Sequence, residues 1–259
     1  MLDALRRHWP EYLMEAAGLG LFMLSACFFA ALLQHPDSPA GRALDSSLVR
    51  RAAMGVAMGA TAVALIYSPW GRRSGAHLNP AVTLTFLRLG RVAGWDAGFY
   101  VIAQFAGGAA GVLIAAAAGR RLLAHPAVDW VATRPGSGGA AVAFAAEVAI
   151  SLGLMAVVLA TASAPRLARF TGLFAGVLVA AYIVVEAPLS GMSMNPARSA
   201  ASALWAEAPA LWIYFVAPPL GMLAAAEIHA RRGRRVPCAK LHHDAASRCI
   251  FRCGHGPAG

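Results

Sequence analysis

The sequence contains little charge. Asp, Glu, Lys and Arg make up only 13% of its 259 residues, whereas 59% belong to the hydrophobic class and the mean hydropathy is +0.59. An average soluble domain has about 25% charged residues, so this composition excludes an ordinary soluble protein. Long apolar runs, each near the roughly 20 residues that cross a bilayer as a helix, occur at positions 12–33, 52–67, 94–119, 140–162, 170–185 and 210–229. The sequence therefore predicts six membrane spans.

Cysteine and catalytic motifs are also scarce. The four cysteines are Cys27, inside the first apolar run, and Cys238, Cys249 and Cys253 near the C-terminal end, so no structural disulfide is predicted. The sequence has no Ser-His-Asp arrangement, phosphate-binding glycine loop or His-Glu metalloprotease motif, so we do not expect an enzyme. The first apolar run is long enough to span a membrane and carries Glu15 near its start, which argues against a removable signal peptide.

The basic residues are unevenly placed along the chain. There are 22 Lys and Arg residues against 12 Asp and Glu residues, a net charge of +10. With both termini in the cytoplasm, most of the basic residues fall in cytoplasmic segments, as the positive-inside rule requires. This distribution predicts a multi-pass protein of the inner or plasma membrane that contacts anionic lipid headgroups. Because the positive charge has this explanation, a nucleic-acid partner is not expected.

One short motif occurs twice. The stretch SGAHLNPA begins at Ser74 and SGMSMNPA begins at Ser190, and each follows two apolar runs and precedes a third. Each three-run block also has an acidic residue early in its first run, Glu15 in one and Glu147 in the other. Because each block has an odd number of spans, the second enters the membrane in the opposite orientation, as in the inverted repeats of transport proteins. The functional site is then expected at mid-membrane, where the blocks meet.

The repeat divides the chain into five segments. The first is a cytoplasmic N-terminus, residues 1–11. Two three-span repeats follow, residues 12–119 with a half-helix from Asn79 and residues 140–230 with a half-helix from Asn195, joined by a linker at 120–139. A basic cytoplasmic tail that contains Cys and His occupies residues 231–259.

Each copy of the motif contains an Asn-Pro pair, which is typical of a helix start. Asn caps free backbone N–H groups, and Pro is tolerated at the first helical position. From Asn79 the apolar run lasts to Gly90, which is about 15 Å or half the hydrocarbon thickness of a bilayer. Such broken backbone is stable in a membrane only where it is buried or lines a water-filled cavity. Two half-helices that meet by their N-termini, each carrying about +0.5 elementary charge, would repel cations, protons included.

The sequence resembles the aquaporin or major intrinsic protein family, in its bacterial-type form, because of these paired boxes. The boxes consist of Asn79, Pro80 and Ala81 and of Asn195, Pro196 and Ala197, and the resemblance covers residues 12–231. It implies an all-α membrane protein of six transmembrane helices plus two half-helices in an inverted repeat, assembled as a homotetramer. It also implies passive permeation of water and small uncharged solutes, with no cofactor and with exclusion of protons and ions.

The resemblance assigns further residues to a pore. Arg198 lies three positions after Asn195, on the same helix face, where the family has an arginine that excludes cations; the first block has Val82 there. The other filter positions carried over are Met58, for which Gly59 is an alternative, Ile183 and Met192. A ladder of carbonyl acceptors is assigned to Gly75, Ala76, His77, Gly191 and Ser193. Glu15 and Glu147 are similar to the family's buried acids, which support these loops.

The sequence gives divided evidence on selectivity. A strict water filter in the family has an aromatic residue and a histidine, and Met58, Ile183 and Met192 provide neither. Flexible thioethers adapt to more than one solute, which favours glycerol or a similar molecule beside water. Water-type members are instead matched at Ser199, Ala203, Tyr214 and Phe215. Glu186 either pairs with an arginine at the outer vestibule or only ends the fifth span.

The tail leaves alternative functions open. Cys238 and His242 are four residues apart, as are Cys249 and Cys253, so each pair offers soft ligands to zinc or copper. The spacing matches none of the common zinc motifs, and a solvated, partly disordered tail is the alternative. Besides an open channel, we therefore consider a channel gated by metal or redox chemistry at the tail. A poorly conducting membrane scaffold, with a pore plugged by Met192 or Met58, is a further alternative.

Overall fold

The computed structural model describes residues 1–255, and in this range the backbone is helical or irregular without any strand. The helices are α1 (Leu2–Gln34), α2 (Pro39–Ala43), α3 (Ser47–Tyr67), α4 (Pro69–Ser74), α5 (Pro80–Arg88), α6 (Gly94–Leu123), α7 (Gly139–Ala162), α8 (Thr171–Val185), α9 (Ala187–Ser190), α10 (Pro196–Ala203) and α11 (Leu211–Arg231). By length and composition, α1, α3, α6, α7, α8 with the turn before it, and α11 are able to cross a membrane. The predicted all-α membrane fold is therefore confirmed.

The first helix is longer than its apolar run. It begins at Leu2 and has 33 residues, which corresponds to about 50 Å at 1.5 Å per residue. The segment 1–11, expected as a separate N-terminus, is therefore mostly the first turns of α1. At the other end of the chain, positions 256–259 of the predicted tail lie outside the described residues.

The spans pack in three pairs, α1 with α6, α7 with α11, and α3 with α8. Small residues allow the helix backbones in these pairs to approach closely. At the α1–α6 crossing, a Cβ on Gly111 would lie only 2.3 Å from the carbonyl oxygen of Gly20. The α3–α8 crossing is built in the same way, because a Cβ on Gly59 would lie 2.6 Å from the carbonyl oxygen of Gly176.

The two half-helices, α5 and α10, exchange partners between the repeats. Helix α5 of the first repeat packs mainly against α11, the last span of the second repeat, and α10 packs mainly against α6 of the first. Their N-terminal ends carry Asn79 and Asn195 and come together between the repeats. The inverted arrangement thus places both Asn-Pro boxes at one site.

The linker between the repeats, residues 120–139, folds back onto the second half-helix. Its single turn, Asp129–Val131, places the Trp130 ring 5.1 Å from the ring of Trp205, just after α10. The backbone N–H of Gly136 donates to the carbonyl oxygen of Leu189 at 2.9 Å. The linker is therefore part of the packed structure around α10.

The chain after α11 also packs against the helices. The tail segment, residues 234–255, contains neither helix nor strand. Its apolar side chains are nevertheless buried in the same core as the segments that precede α5 and α10: Val236, Cys238, Ala239, Leu241 and Phe251. The alternative of a solvated tail is wrong for this part of the chain, because these side chains cover the surface beside residues 74–77.

The close crossing of α1 and α6 leads to a stability prediction. Gly111→Ala places a methyl group against the Gly20 carbonyl, and overpacking of this kind costs about 1–3 kcal/mol. We expect a lower thermal unfolding midpoint for the detergent-purified variant. Gly98→Ala is the matched control on the same helix, since a Cβ there meets nothing within 4 Å. Equal midpoints for the two variants would contradict the close packing of α1 on α6.

Candidate functional site

Two non-helical loops, residues 75–78 and 191–194, precede the half-helices. Both have left-handed backbone at corresponding positions: φ is 95° at Gly75, 53° at Ala76 and 49° at Leu78, and 81° at Gly191, 51° at Met192 and 53° at Met194. Non-glycine residues adopt this region only when the surrounding structure holds them there. Neighbouring groups must therefore bind the backbone of these loops.

A buried carboxylate holds the first loop. Oε1 of Glu15 accepts hydrogen bonds from Ser74 Oγ at 2.8 Å and from the N–H of His77 at 3.1 Å, and Oε2 accepts from the N–H of Leu78 at 2.6 Å. A fourth donor, Nε2 of Gln104, lies 2.9 Å from Oε2. Glu15 thus satisfies loop donors that have no helical partner.

A second buried carboxylate holds the other loop in the same way. Oε1 of Glu147 accepts from Ser190 Oγ at 2.6 Å and from the N–H of Ser193 at 2.7 Å, and Oε2 accepts from the N–H of Met194 at 2.8 Å. The two carboxylates therefore bind equivalent groups in the two repeats. The amide of Gln104 has no counterpart, because Pro218 occupies the corresponding position of α11.

Two tyrosines complete the support and were not identified from the sequence as a pair. The hydroxyl of Tyr100 donates to the carbonyl oxygen of Ser74 at 2.7 Å, and that of Tyr214 donates to the carbonyl oxygen of Ser190 at 2.5 Å. The signal was present, since both tyrosines lie in the last span of their repeat. Their separations from the serines, 26 and 24 residues, differ by two, so a search at fixed spacing misses the pair.

Both asparagines cap their half-helices. Oδ1 of Asn79 accepts from the N–H of Ala81 at 2.9 Å, and Oδ1 of Asn195 accepts from the N–H groups of Ala197 at 3.1 Å and Arg198 at 3.2 Å. Pro80 and Pro196 are the first residues of α5 and α10. The local sequence thus starts each helix as an N-cap followed by proline.

The asparagine amides also connect the two repeats. Nδ2 of Asn79 donates to the carbonyl oxygen of Met194 at 2.7 Å, and Nδ2 of Asn195 donates to the carbonyl oxygen of Leu78 at 2.8 Å. An amide NH₂ carries two hydrogens, so each asparagine retains a second donor. Both residues line the cavity between the repeats.

This cavity has a volume of about 320 Å³. The four residues assigned to a filter, Met58, Ile183, Met192 and Arg198, all line it. Gly59, the alternative to Met58, instead lies against Gly176 of α8. Nη1 of Arg198 is buried and has no hydrogen-bond partner within residues 1–255, so a donor of the guanidinium remains at the cavity wall.

The cavity wall includes four of the five residues assigned to the carbonyl ladder: Ala76, His77, Gly191 and Ser193. Gly75 is the exception. Its carbonyl oxygen accepts the N–H of Leu241, in the tail segment, at 3.1 Å, and Leu241 itself lines the cavity. The assignment of Gly75 to the ladder is therefore corrected, because the tail uses the acceptor that this residue offers.

The water-type positions lie outside the residues that line the cavity. Ser199 is hydrogen-bonded to Ser193 at 2.6 Å and to Thr133 at 2.8 Å, and so supports the second loop without lining the cavity. Tyr214 donates a hydrogen bond to the carbonyl oxygen of Ser190, and the exposed Phe215 stacks on Phe105. Ala203 is the last residue of α10 and does not line the cavity either.

Glu186 is buried directly after α8, with 3% exposure. Neither carboxylate oxygen has a hydrogen-bond partner among residues 1–255, and no salt bridge is formed to an arginine in that range. Of the two alternatives for this residue, the position at the end of the fifth span describes it better than an ion pair.

The tail segment brings three thiols and one imidazole together. The ligand atoms of Cys238, His243, Cys249 and Cys253 all lie within 4.8 Å of one another. His242, the histidine expected there, is placed elsewhere: its ring lies 4.7 Å from that of Tyr67. Burial, together with the nearby positive charge of Arg72, lowers the pKa of His242. The predicted histidine is therefore wrong by one position, because the chain directs His243 and not His242 toward the cysteines.

The carboxylate support of the second loop leads to a prediction. Glu147→Gln keeps the shape of the side chain, but its NH₂ group then faces a loop donor, and an unmade buried hydrogen bond costs about 1–3 kcal/mol. We expect a lower unfolding midpoint for the purified variant. Glu207→Gln, at an exposed position, makes the same charge change and should leave the midpoint unchanged. If both variants were as stable as the parent, the carboxylate would not hold the loop.

Comparisons with known proteins agree with this architecture. The family model described as major intrinsic protein matches residues 5–229. Aquaporin NIP2-2 of Zea mays is 33% identical over 199 residues, covering 76% of this chain and 65% of that protein. Glycerol uptake facilitator protein-like 6 of Lactiplantibacillus plantarum is 36% identical over 183 residues, covering 67% of this chain and 82% of that one.

A solved structure has the same fold. The aquaglyceroporin from Plasmodium falciparum superposes with a TM-score of 0.69, covering 86% of this chain and 95% of that chain, at 17% sequence identity. At this identity the likeness concerns the fold alone. The aligned chain spans slightly less than two thirds of the length of the maize relative. The family match nevertheless covers most of this chain, and the protein belongs to the major intrinsic protein family.

Proposed function

We propose that the protein is a passive channel for water and small uncharged solutes such as glycerol. The observation that carries this proposal is the cavity of about 320 Å³ between the repeats, which both box asparagines and Arg198 line. Its wall offers amide and guanidinium donors together with the carbonyls of the two loops. A neutral molecule with hydroxyl groups is able to exchange its hydrogen bonds with water for bonds to this wall.

The relatives support the same function. The maize relative is named an aquaporin and the Lactiplantibacillus relative a glycerol uptake facilitator-like protein. Permeation through such a cavity involves no bond making, so neither catalysis nor a cofactor is part of the proposal.

Selectivity follows from the residues in contact with the cavity. Met58, Ile183 and Met192 make three of the four filter positions apolar. The positions typical of water-selective members, by contrast, contact the loops or the outer surface. Because these side chains contact the cavity and flexible methionines adapt to a larger solute, we propose that glycerol passes beside water.

Exclusion of ions rests on fixed positive charge. Arg198 lines the cavity, and the N-termini of α5 and α10 meet at its wall. The partial positive charge at each helix N-terminus and the charge of Arg198 act in the same direction. Cations and protons are therefore repelled along the middle of the path.

The surroundings proposed for the channel follow from its surface. We place the protein in the inner or plasma membrane with both termini in the cytoplasm, because the basic segments then face anionic lipid. Large apolar side chains such as Val56, Ile102 and Val177 are exposed on the spans and suit contact with lipid or with a second copy. A homotetramer is proposed from the family resemblance, and no nucleic acid is involved.

A second candidate function is a poorly conducting membrane scaffold. The observation in its favour is Leu241, which lines the cavity although it belongs to the tail segment. Met58 and Met192 were the residues expected to plug the pore, but both line the cavity and do not fill it. Stopped-flow light scattering on proteoliposomes separates the candidates. If the protein is a channel, proteoliposomes with the full chain, or at least those with Leu241→Ala, shrink faster under osmotic stress than protein-free liposomes. If neither protein increases the rate of shrinkage, the scaffold is favoured.

The filter assignment leads to a further prediction. Met58→Phe combined with Met192→His introduces the aromatic and histidine side chains that narrow a water filter. We expect the ratio of glycerol to water permeability to fall by about tenfold, which corresponds to about 1.4 kcal/mol of discrimination. Val56→Phe is the control, because Val56 lies on the same helix as Met58 and is 69% exposed on the outside. An unchanged ratio in the double variant would mean that these methionines do not form the filter.

The role of Arg198 is tested by ion conductance. Arg198→Ala removes the fixed charge at the cavity wall, and we expect proton or cation leakage to rise in pH- or potential-sensitive dye assays on proteoliposomes. Arg134→Ala serves as the control, since Arg134 is partly exposed and pairs with Asp129 at 2.8 Å. A leak that is equal in both variants would contradict the proposed charge barrier.

A further inference from the structure

The tail segment occupies one end of the cavity. The N–H of Leu241 donates to the Gly75 carbonyl at 3.1 Å, and Nε2 of His77 lies 2.8 Å from the carbonyl oxygen of Ala239. The ring of Phe251 stacks on the imidazole of His77 with centroids 5.4 Å apart and an interplanar angle of 13°. The tail thus binds the first pore loop through its backbone and through an aromatic contact.

These contacts place the tail in the path proposed for solutes. His77 and Leu241 both line the cavity. Leu241 is 7% exposed and Ala239 is fully buried, so this part of the tail is enclosed by the helices around the loop. With the termini in the cytoplasm, the covered end is the cytoplasmic mouth. A solute that leaves by this mouth therefore passes Leu241.

Burial of its apolar side chains and a few backbone hydrogen bonds are the main contacts that hold the tail in place. Residues 234–255 have no helix or strand, and the segment is too short to bury a sizeable core. The ion pair between Arg72 and Asp244, at 3.8 Å, is partly exposed on both sides. Ion pairs of this kind contribute little to stability. A cross-link between the ends of the segment would hold it much more firmly.

The cluster of Cys238, His243, Cys249 and Cys253 has the chemistry of such a cross-link. Three thiolates and one imidazole form a ligand set that zinc takes in closed, tetrahedral structural sites, with ligand atoms about 3.6–3.8 Å apart. Here Cys238 Sγ and Cys249 Sγ are 3.5 Å apart, and Cys253 Sγ and His243 Nε2 are 3.3 Å apart. All four atoms lie within 4.8 Å of one another, so the two short separations must widen slightly and the longest must shorten by at most about 1 Å to reach this geometry.

The position of the cluster connects it to the covered mouth. Cys238 immediately precedes Ala239, which binds His77, and Cys249 is two residues before Phe251, which stacks on the same imidazole. We propose that these four residues bind one zinc-class divalent cation and that the bound metal holds the tail over the cytoplasmic mouth, so that the metal-loaded channel is closed. The gating part rests on the proposed channel function, whereas metal binding does not.

The first test is the metal content of the full chain, purified in detergent under reducing conditions and dialysed against zinc. We expect about one zinc per chain, as the single Cys₃His site requires, and a loss of most of it in the double variant Cys249→Ser, Cys253→Ser. Cys27→Ser is the control, because Cys27 is buried in α1 outside the cluster. Substoichiometric zinc in the parent, or zinc retained in the double variant, overturns the site. A Cys238–Cys249 disulfide in place of metal does so too.

The second test measures gating by water flux in proteoliposomes with a zinc chelator on both sides. Chelation should raise the water permeability by about tenfold, within the range of about 5- to 150-fold typical of coupling between two sites, and added zinc should reverse the change. Leu241→Ala keeps every metal ligand, so it should bind zinc normally but remain open with metal present. Normal zinc binding without an effect of chelation, or of Leu241→Ala, overturns the gate.

A third measurement does not depend on flux. Hydrogen exchange at the Leu241 N–H, which donates to Gly75, should be slow with zinc and fast after chelation, with no change in exchange within α7 and α11. If the exchange rate at this N–H is the same with and without zinc, the metal does not hold the tail, and this result is independent of water flux. If zinc binds and slows exchange in the tail while no variant shows water flux, the proposed channel function is wrong, but the proposal that the metal holds the tail is supported.

Discussion

The structure depends on two carboxylates that satisfy backbone N–H groups in the middle of the helical bundle. The loops before α5 and α10 follow left-handed backbone and cannot use helical hydrogen bonds. In lipid an unsatisfied backbone group costs several kcal/mol, so such loops persist only where the protein itself provides partners. Glu15 and Glu147 each accept two backbone N–H groups and one serine hydroxyl. Because carboxylates take up the donors, the loop carbonyls other than those of Gly75, Leu78 and Met194, which are already bonded, remain available to the cavity.

This support makes the two repeats dependent on each other. Each asparagine caps its own half-helix, yet its amide donates to the loop of the opposite repeat. Each half-helix also packs mainly on the last span of the other repeat. Neither repeat therefore contains all the partners of its own loop, and displacing one box removes a hydrogen bond and a packing surface from both halves.

The sequence predicted the parts of the site that obey local rules. Two Asn-Pro pairs in matching context indicate two helix starts, and an ionisable residue inside an apolar run indicates a functional role, so Asn79, Asn195, Glu15 and Glu147 were identified together with the six spans. Other features depend on tertiary packing. The engagement of Gly75 by Leu241, the pairing of Tyr100 with Ser74 and the choice of His243 over His242 follow from how distant segments meet. No local spacing contains that information.

The departures from twofold symmetry indicate where specific properties reside. The supports of the two loops are nearly equivalent, but Arg198 corresponds to Val82, and Ser193 corresponds to His77. Ser193 is bonded to Ser199 within its own repeat, whereas the imidazole of His77 has one nitrogen on Thr83 and the other on the Ala239 carbonyl. The second half-helix, α10, thus carries the fixed charge that suits a filter. The first loop instead presents a ring that a peptide segment is able to bind, so regulation by the tail at this end leaves the geometry of Arg198 untouched.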